Sequence, residues 1–378
     1  MPGTRDAVVV GGGPVGLATA LALAREGLSV AVVERRRPPL DKACGEGIMP
    51  WGLAALAELG VDLGALGRPF AGIRYVAEGR AAEADFPAGA RGRGVRRTAL
   101  HAVLAARAEA AGVELRWGEA ATALAAGGGV EVAGGVVAAR WVVGADGLRS
   151  KVRGWAGLAC PARGVPRFGV RRHLRLPGGR ARVEVVFGAR AEAYLTPVGA
   201  EEVGVALLWE GAARGFDELL ATRFPPALAA GLAGAEASSA DRGAGPFRQR
   251  TRGVVAGRVA LVGDAAGYLD ALTGEGLSLG FREALVLARA LAADDLSGYG
   301  RACRRLRRAP ETITRLALVA ARRPALARRL VDVLARDPEF FSRLLGVLGA
   351  GAPLASLGAA PALRFALELV ASARAASP

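Results

Sequence analysis

The sequence predicts an α/β fold in three parts, and three observations carry that prediction. Residues 7–34 read as an apolar strand, a glycine-rich turn, a helix and a second apolar strand. Between Phe168 and Trp209 the apolar pattern switches to period two. From about Leu296 it returns to helical spacing. The order implies a parallel-sheet domain, an inserted antiparallel sheet and a helical C-terminal region. The expected boundaries are 1–72, 95–160 and 250–295 for the discontinuous first domain, 73–94 and 161–249 for the sheet domain, and 296–378 for the helices.

The bulk numbers allow this and narrow the partners. With 378 residues and 52% of them hydrophobic, the chain can fill two or three cores. The net charge is +15, yet only Lys42 and Lys151 are lysines among 50 basic residues, and the arginines are scattered. Aromatics make up only 5%, so no basic surface interleaved with stacking rings is evident, and no nucleic-acid partner is expected. A weak attraction for acidic cofactors or anionic headgroups remains. Cys44, Cys160 and Cys303 are too far apart for a zinc spacing or a disulfide framework, so no metal is expected. The N-terminus lacks a secretory pattern and no run reaches about 18 apolar residues. The expected location is cytoplasmic.

The opening segment has a specific physical reading. Ala7-Val8-Val9-Val10 is apolar throughout, as a parallel strand buried on both faces must be. Gly11, Gly13 and Gly16 follow as GxGxxG, with Pro14 and Val15 inside the motif. Gly11 permits the tight turn, Gly13 lets backbone approach a pyrophosphate, and Gly16 lets helix and strand pack closely. Phosphates then sit on the helix N-terminus, where free N–H groups and the dipole favour negative charge. The second strand, LSVAVVE, ends at Glu34, followed by Arg35. A carboxylate there accepts hydrogen bonds from ribose hydroxyls and repels a 2′-phosphate. Together these form a Rossmann-like dinucleotide site. The glycine runs near Gly127 and Gly349 lack the strand-turn-helix context and read as a hairpin turn and a loop.

Two later segments choose the dinucleotide. VVGADGLRSKVR, containing Asp146, Gly147 and Arg153, resembles the Asp-Gly motif of the para-hydroxybenzoate hydroxylase-like flavoproteins. LVGDAAG, containing Asp264, is similar to that family's Gly-Asp motif. RRTALHAVLAARAEAAGVEL is a further match, opening at Arg97. The resemblance spans about residues 5–295 and implies FAD as cofactor. It implies Asp146 and Gly147 beneath the pyrophosphate, Asp264 on the ribityl chain and Arg97 in contact with FAD. Gly274, Gly276 and Leu277, at the start of a helix over about 276–292, are expected beside the flavin ring, where the dipole stabilises the reduced anion. No second nucleotide fold is present in the pattern, so NAD(P)H is expected as a transient reductant.

The chain also departs from that family. LDKACGEGIMPWG and ALTGEGLSLG look more like the geranylgeranyl reductase-like branch. Halogenases share the fold, but no Trp-x-Trp-x-Ile-Pro occurs, which disfavours that reaction.

FGVRRHLRL, ARVEVVFG, AEAYLTPVG and EEVGVALLW read as four antiparallel strands, joined by the shorter pair GIRYVAEG and RAAEADF. In the resembled fold this sheet lines the pocket for a hydrophobic small molecule. Cys44 and Glu46 sit where the resembled reductases place residues near the flavin; Cys44 is either a proton donor or a small buried residue. Tyr194 and His173 could each deprotonate a phenol. The ordinary readings are a packed tyrosine with a tied hydroxyl and a histidine on the surface or in the sheet. Glu275 either lines the flavin pocket or caps the next helix. Within the C-terminal region, PALARRLVDVLARDPEFFSRLLGVLG has apolar residues at helical spacing with arginines opposite. It reads as helices packed over the FAD domain or as a peripheral membrane contact. The best-fitting activity is an FAD-dependent, NAD(P)H-using monooxygenase acting on a hydrophobic, aromatic or polyketide-like molecule. Its rivals are a flavin ene-reductase of isoprenoid lipids and a non-catalytic flavin-binding or maturation protein.

Overall fold

A computed structural model describes residues 4–161, 164–212, 215–349 and 351–371. The ends of the expected domain ranges at 1–3 and 372–378 lie outside the described residues. A six-stranded sheet is ordered Val255–Ala256, Val259–Leu261, Ala139–Gly144, Arg5–Val10, Val30–Glu34, Glu114–Trp117. All its pairings are parallel except that of Val255–Ala256 with Val259–Leu261. The central strand Arg5–Val10 puts Val9 between Val143 and Val32. Burial on both faces explains why it carries no polar alternation. Helices Pro14–Arg25, Arg97–Ala110 and Gly276–Ala292 pack on one face. The opposite face is covered by a small sheet of Ala123–Leu124, Val130–Val132 and Gly135–Val137, with the helix Lys151–Trp155 beside it. Gly127 lies in the hairpin joining the first two of those short strands.

The second large sheet has seven strands, ordered Arg242–Ala244, Arg167–Arg175, Glu202–Glu210, Ala191–Pro197, Val183–Gly188, Gly72–Ala77, Arg80–Asp85. It is antiparallel with one exception. Val183–Gly188 and Gly72–Ala77 run parallel, because the latter arrives from the first domain rather than from a neighbouring hairpin. One face of this sheet packs on the short helices Phe216–Arg223 and Pro226–Leu232. Its other face points at the first domain.

The C-terminal helices are not laid over the FAD domain alone, as the amphipathic pattern had suggested. Leu296–Ala321 packs against Gly276–Ala292, but Pro324–Arg336 and Pro338–Gly349 pack on strands Gly72–Ala77 and Arg80–Asp85. Val331, Leu334, Phe340, Phe341 and Leu345 share one apolar core with Ile73, Ala82, Val185 and Leu208. Their apolar stripes are thus satisfied by the inserted sheet, whose inner face would otherwise be wet at that end. No helix among the described residues is long and apolar enough to cross a membrane.

Candidate functional site

A continuous cavity runs from the glycine-rich turn, between the two large sheets, to the C-terminal helices. At one end it is lined by Gly11, Gly13, Pro14, Val15, Glu34, Arg97, Asp146, Gly147 and Asp264. Gly11 has φ +110°, and a Cβ there would lie 2.5 Å from the carbonyl oxygen of Ala145. Gly16 does not reach the cavity. A Cβ on it would lie 1.9 Å from the Gly11 carbonyl oxygen, so its role is close packing of turn and helix. Gly13 differs: the nearest atom to its added Cβ is Arg97 Nη2 at 3.5 Å. Nothing in the protein demands glycine there, which suits a position kept open for phosphate.

Glu34 ends its strand with one carboxylate oxygen accepting from Gly12 N–H and the other from Arg36 N–H, both at 3.0 Å. Arg35 is exposed and turned away, and Arg36 lines the cavity in its place. Gly12, which the motif leaves as a variable position, is also constrained. Its added Cβ would meet the Trp117 ring at 2.4 Å. No local sequence signal marks that contact, which comes from the edge strand Glu114–Trp117.

The Asp-Gly and Gly-Asp segments meet under the same cavity. Asp146 Oδ2 accepts from Lys151 N–H (2.7 Å) and Val152 N–H (3.2 Å) at the start of the helix Lys151–Trp155. Its Oδ1 is buried with no partner among the described residues. Gly147 has φ +78°, and Lys42 Nζ lies 3.1 Å from its added Cβ. Asp264 sits in the tight turn Gly263–Ala266. Its Oδ1 lies 3.9 Å from the added Cβ of Gly276, where the helix Gly276–Ala292 begins. The turn itself is clamped from behind. Arg307 donates to the carbonyls of Gly267 (2.7 Å) and Gly263 (2.8 Å), and buried Glu283 accepts from Gly263 N–H (2.8 Å).

These residues fit FAD. A buried acceptor at Asp146, the buried and unpartnered Nε of Arg97, an open backbone at Gly13 and a carboxylate at Glu34 supply partners for phosphate and ribose. Gly274, Gly276 and Leu277 continue the lining at the helix N-terminus, where Gly274 takes φ +67°. Glu275 points elsewhere. Its carboxyl is buried in a second, small cavity behind the helix, and burial holds its pKa well above the usual carboxylate range.

The middle of the cavity holds the catalytic candidates. Cys44 Sγ accepts from Glu46 N–H at 3.3 Å. Burial pushes the thiol up, opposed by the nearby Arg97 guanidinium, so it stays protonated at neutral pH. Glu46 is buried at φ +60°, with Oε1 accepting from Arg97 N–H (2.8 Å) and Oε2 lying 2.5 Å from His173 Nε2. His173 does lie in the sheet, on strand Arg167–Arg175, but is 2% exposed rather than at the surface and is joined to Glu46. Strand alternation carries Gly169, Arg171 and His173 to the inner face, which residue identity alone does not reveal. Tyr194 also faces inward, but its hydroxyl donates to the Leu272 carbonyl and burial raises its pKa well above 10.0. That geometry makes it a tie holding the loop before Gly274 rather than a base.

The far end is apolar. Phe70, Ile73, Phe86, Val183, Val185, Leu208 and Phe247 line it, and Leu345, Leu348 and Gly349 close it from the helix Pro338–Gly349. Tyr75 stacks on Phe341 at 5.1 Å there.

Residues 4–178 match the family described as FAD binding domain. Among curated proteins, the chain is similar to a menaquinone reductase of Mycolicibacterium smegmatis, 50% identical over 56 residues, covering 15% of this chain and 14% of that protein. Among solved structures it is similar to a flavoprotein/dehydrogenase from Cytophaga hutchinsonii, with TM-score 0.82, 18% identity and coverage of 98% and 99% of the two chains. It is also similar to OxyS anhydrotetracycline hydroxylase from Streptomyces rimosus, with TM-score 0.71, 23% identity and coverage of 92% of this chain and 76% of that one. The structural likenesses speak to fold, and the family match with the geometry of Gly13, Asp146 and Asp264 speaks to cofactor. Residues 4–178 thus carry an FAD-binding domain, and the Asp-Gly and Gly-Asp segments that meet at its cavity are similar to those of the para-hydroxybenzoate hydroxylase-like flavoproteins.

Proposed function

We propose that the chain is an FAD-dependent monooxygenase that uses NAD(P)H as a transient reductant and hydroxylates a hydrophobic, ring-bearing small molecule. The observation carrying this reading is the apolar chamber continuous with the FAD arm and closed by Leu345 and Leu348. FAD, when bound, supplies hydride acceptance and oxygen activation. The chain's own residues supply the rest. Phe70, Phe86, Val185 and Phe247 hold an apolar substrate and exclude water from the reacting centre. The N-terminus of Gly276–Ala292 offers positive potential to a reduced, anionic ring. Arg97 and Glu34 anchor the nucleotide arm.

One observation favours a second reading. The protonated Cys44 thiol beside Arg97 is a proton source at the cavity wall, which suits a flavin ene-reductase of isoprenoid lipids. Anaerobic stopped-flow separates the two. Under the first reading NADH or NADPH bleaches the flavin, and oxygen with a hydrophobic phenol restores it with hydroxylated product. Reoxidation by an isoprenoid alkene without oxygen would instead establish the reductase.

A lipophilic substrate raises the question of delivery. Leu316 and Val319 on one C-terminal helix and Leu363 and Leu367 on the last are exposed among arginines. This supports peripheral contact with an anionic membrane. Co-sedimentation with anionic vesicles at low salt tests it, and absence of binding would remove it.

A further inference from the structure

The hydrogen bonds around His173 fix its tautomer. Ser239 Oγ accepts from His173 N–H (3.1 Å) and faces Arg171 Nη1 at 3.3 Å. Its single proton is then free for His173 Nδ1 at 2.8 Å. Arg171 Nη1, which can only donate, also faces Nδ1, at 2.9 Å. Nδ1 is therefore an acceptor and the ring proton sits on Nε2, aimed at Glu46 Oε2 at 2.5 Å. Glu46 lines the cavity, His173 is buried, and Ser239 is half-buried near the protein surface. Every bond in this chain points inward.

From that polarity we infer that Ser239, His173 and Glu46 form a proton wire carrying a proton from solvent into the cavity. A buried chain of polar groups is an expensive way to obtain stability alone, since each group must be desolvated and apolar residues of equal volume do as well. The surroundings are built to hold it nonetheless. Gly204 leaves room for Glu46 Oε2, which would lie only 3.1 Å from an added Cβ. Arg97 N–H fixes the other carboxylate oxygen. The Arg171 guanidinium pairs with Asp41, which also accepts from Arg242 at 3.0 Å. Cys44 is a further titratable neighbour, through its contact with Glu46 N–H, and the Arg97 guanidinium lies beside it.

The step balances. Oxygenation of a substrate by NAD(P)H and dioxygen takes up one proton and releases water; alkene reduction by NAD(P)H also takes up one proton. In the wire, the Nε2 proton passes to Glu46 as the Ser239 hydroxyl proton passes to Nδ1, and water replenishes the serine. Glu46 then gives its proton to the acceptor in the cavity. The imidazole is left in its other tautomer, with its proton on Nδ1. Glu46 hands over the proton, and His173 and Ser239 act through it as positioning residues. The inference rests on the reading that the cavity's reaction consumes a proton, but its test requires no substrate.

The chain has two histidines, so isotope-labelled histidine in the FAD-loaded full chain gives two imidazole signatures by NMR. His173 is assigned by the loss of its signal in His173→Gln. The expected result is a neutral ring with its proton on Nε2. That proton should exchange with water faster than in Ser239→Ala by about tenfold or more. Ser239→Thr, which keeps a hydroxyl, should retain the wild-type exchange. A ring protonated on Nδ1 in the wild type would overturn the inference. So would equal exchange in wild type and Ser239→Ala. Neither depends on whether the enzyme is a monooxygenase or a reductase.

Discussion

The Arg153 guanidinium donates to the main-chain carbonyl of Asp264 at 3.3 Å, joining two motifs 111 residues apart in the chain. The same side chain donates to Ala265 (3.1 Å) and Leu148 (2.9 Å) carbonyls and to Gln249 Oε1 (3.0 Å). The Asp-Gly turn and the Gly-Asp turn are thus one rigid floor. Arg153→Met should cost roughly 2–4 kcal/mol of stability by orphaning these carbonyls, and should lower FAD occupancy. Arg153→Lys should not restore either, because a single ammonium cannot replace the fork. Urea unfolding and flavin content per chain check both.

The two motif glycines should fail differently. Gly16→Ala forces a Cβ to 1.9 Å from the Gly11 carbonyl, so the fold itself should weaken, by roughly 1–3 kcal/mol or more. Gly13→Ala meets only Arg97 Nη2 at 3.5 Å, so thermal unfolding of the FAD-free protein should be unchanged. FAD affinity should nonetheless fall. Equal destabilisation by both substitutions would contradict the assignment of Gly13 to phosphate.

Removing the carboxylate at the strand end tests the ribose contact. Glu34→Ala should weaken FAD binding by about 1–3 kcal/mol, read by fluorescence titration of the FAD-free protein. Glu34 also holds Gly12 N–H at 3.0 Å, so Glu34→Gln is the milder companion that keeps an acceptor there. Unchanged affinity in both would refute the role.

At the seven-stranded sheet, Glu192 and Asp270 share the Arg167 guanidinium, with Arg167 Nη2 2.5 Å from Glu192 and Nε 2.8 Å from Asp270. Burial, with Asp270 adding to it and Arg167 opposing, raises the Glu192 carboxyl from 4.5 to about 7. A raised acid favours the folded state while protonated. Its contribution is complete below the unfolded value and is lost as pH rises through the folded one. Stability should therefore decline between pH 4.5 and about 7, by roughly 1–3 kcal/mol from this group. Glu192→Gln should flatten that decline in denaturation curves measured across the range. An unchanged slope would show that the carboxyl titrates elsewhere.

The nucleotide arm was legible in the sequence because its physics is local. Gly11, Gly13 and Gly16 lie within one turn, and Glu34 ends the next strand, so spacing alone implies their geometry. Asp146 and Asp264 were legible only through resemblance, since an isolated aspartate before a helix is also an ordinary cap, and Asp146 does accept from two first-turn N–H groups of the helix that Ser150 caps. The His173 cluster was hidden for a different reason. Which face of Arg167–Arg175 is inward depends on the packing of distant helices, and Ser239 lies 66 residues away from His173. The placement of the C-terminal helices was missed similarly: amphipathic spacing gives a buried stripe but not its partner, here the strands Gly72–Ala77 and Arg80–Asp85. Tyr194 could be placed inward by alternation, but its bond to the Leu272 carbonyl could not.

The most direct test is isotopically labelled dioxygen supplied to the FAD-loaded chain with NAD(P)H and a hydrophobic phenol. One labelled oxygen atom is expected in the product and none from water. NAD(P)H consumption with no labelled product from any apolar ring compound, alongside saturation of an isoprenoid alkene under anaerobic conditions, would contradict it.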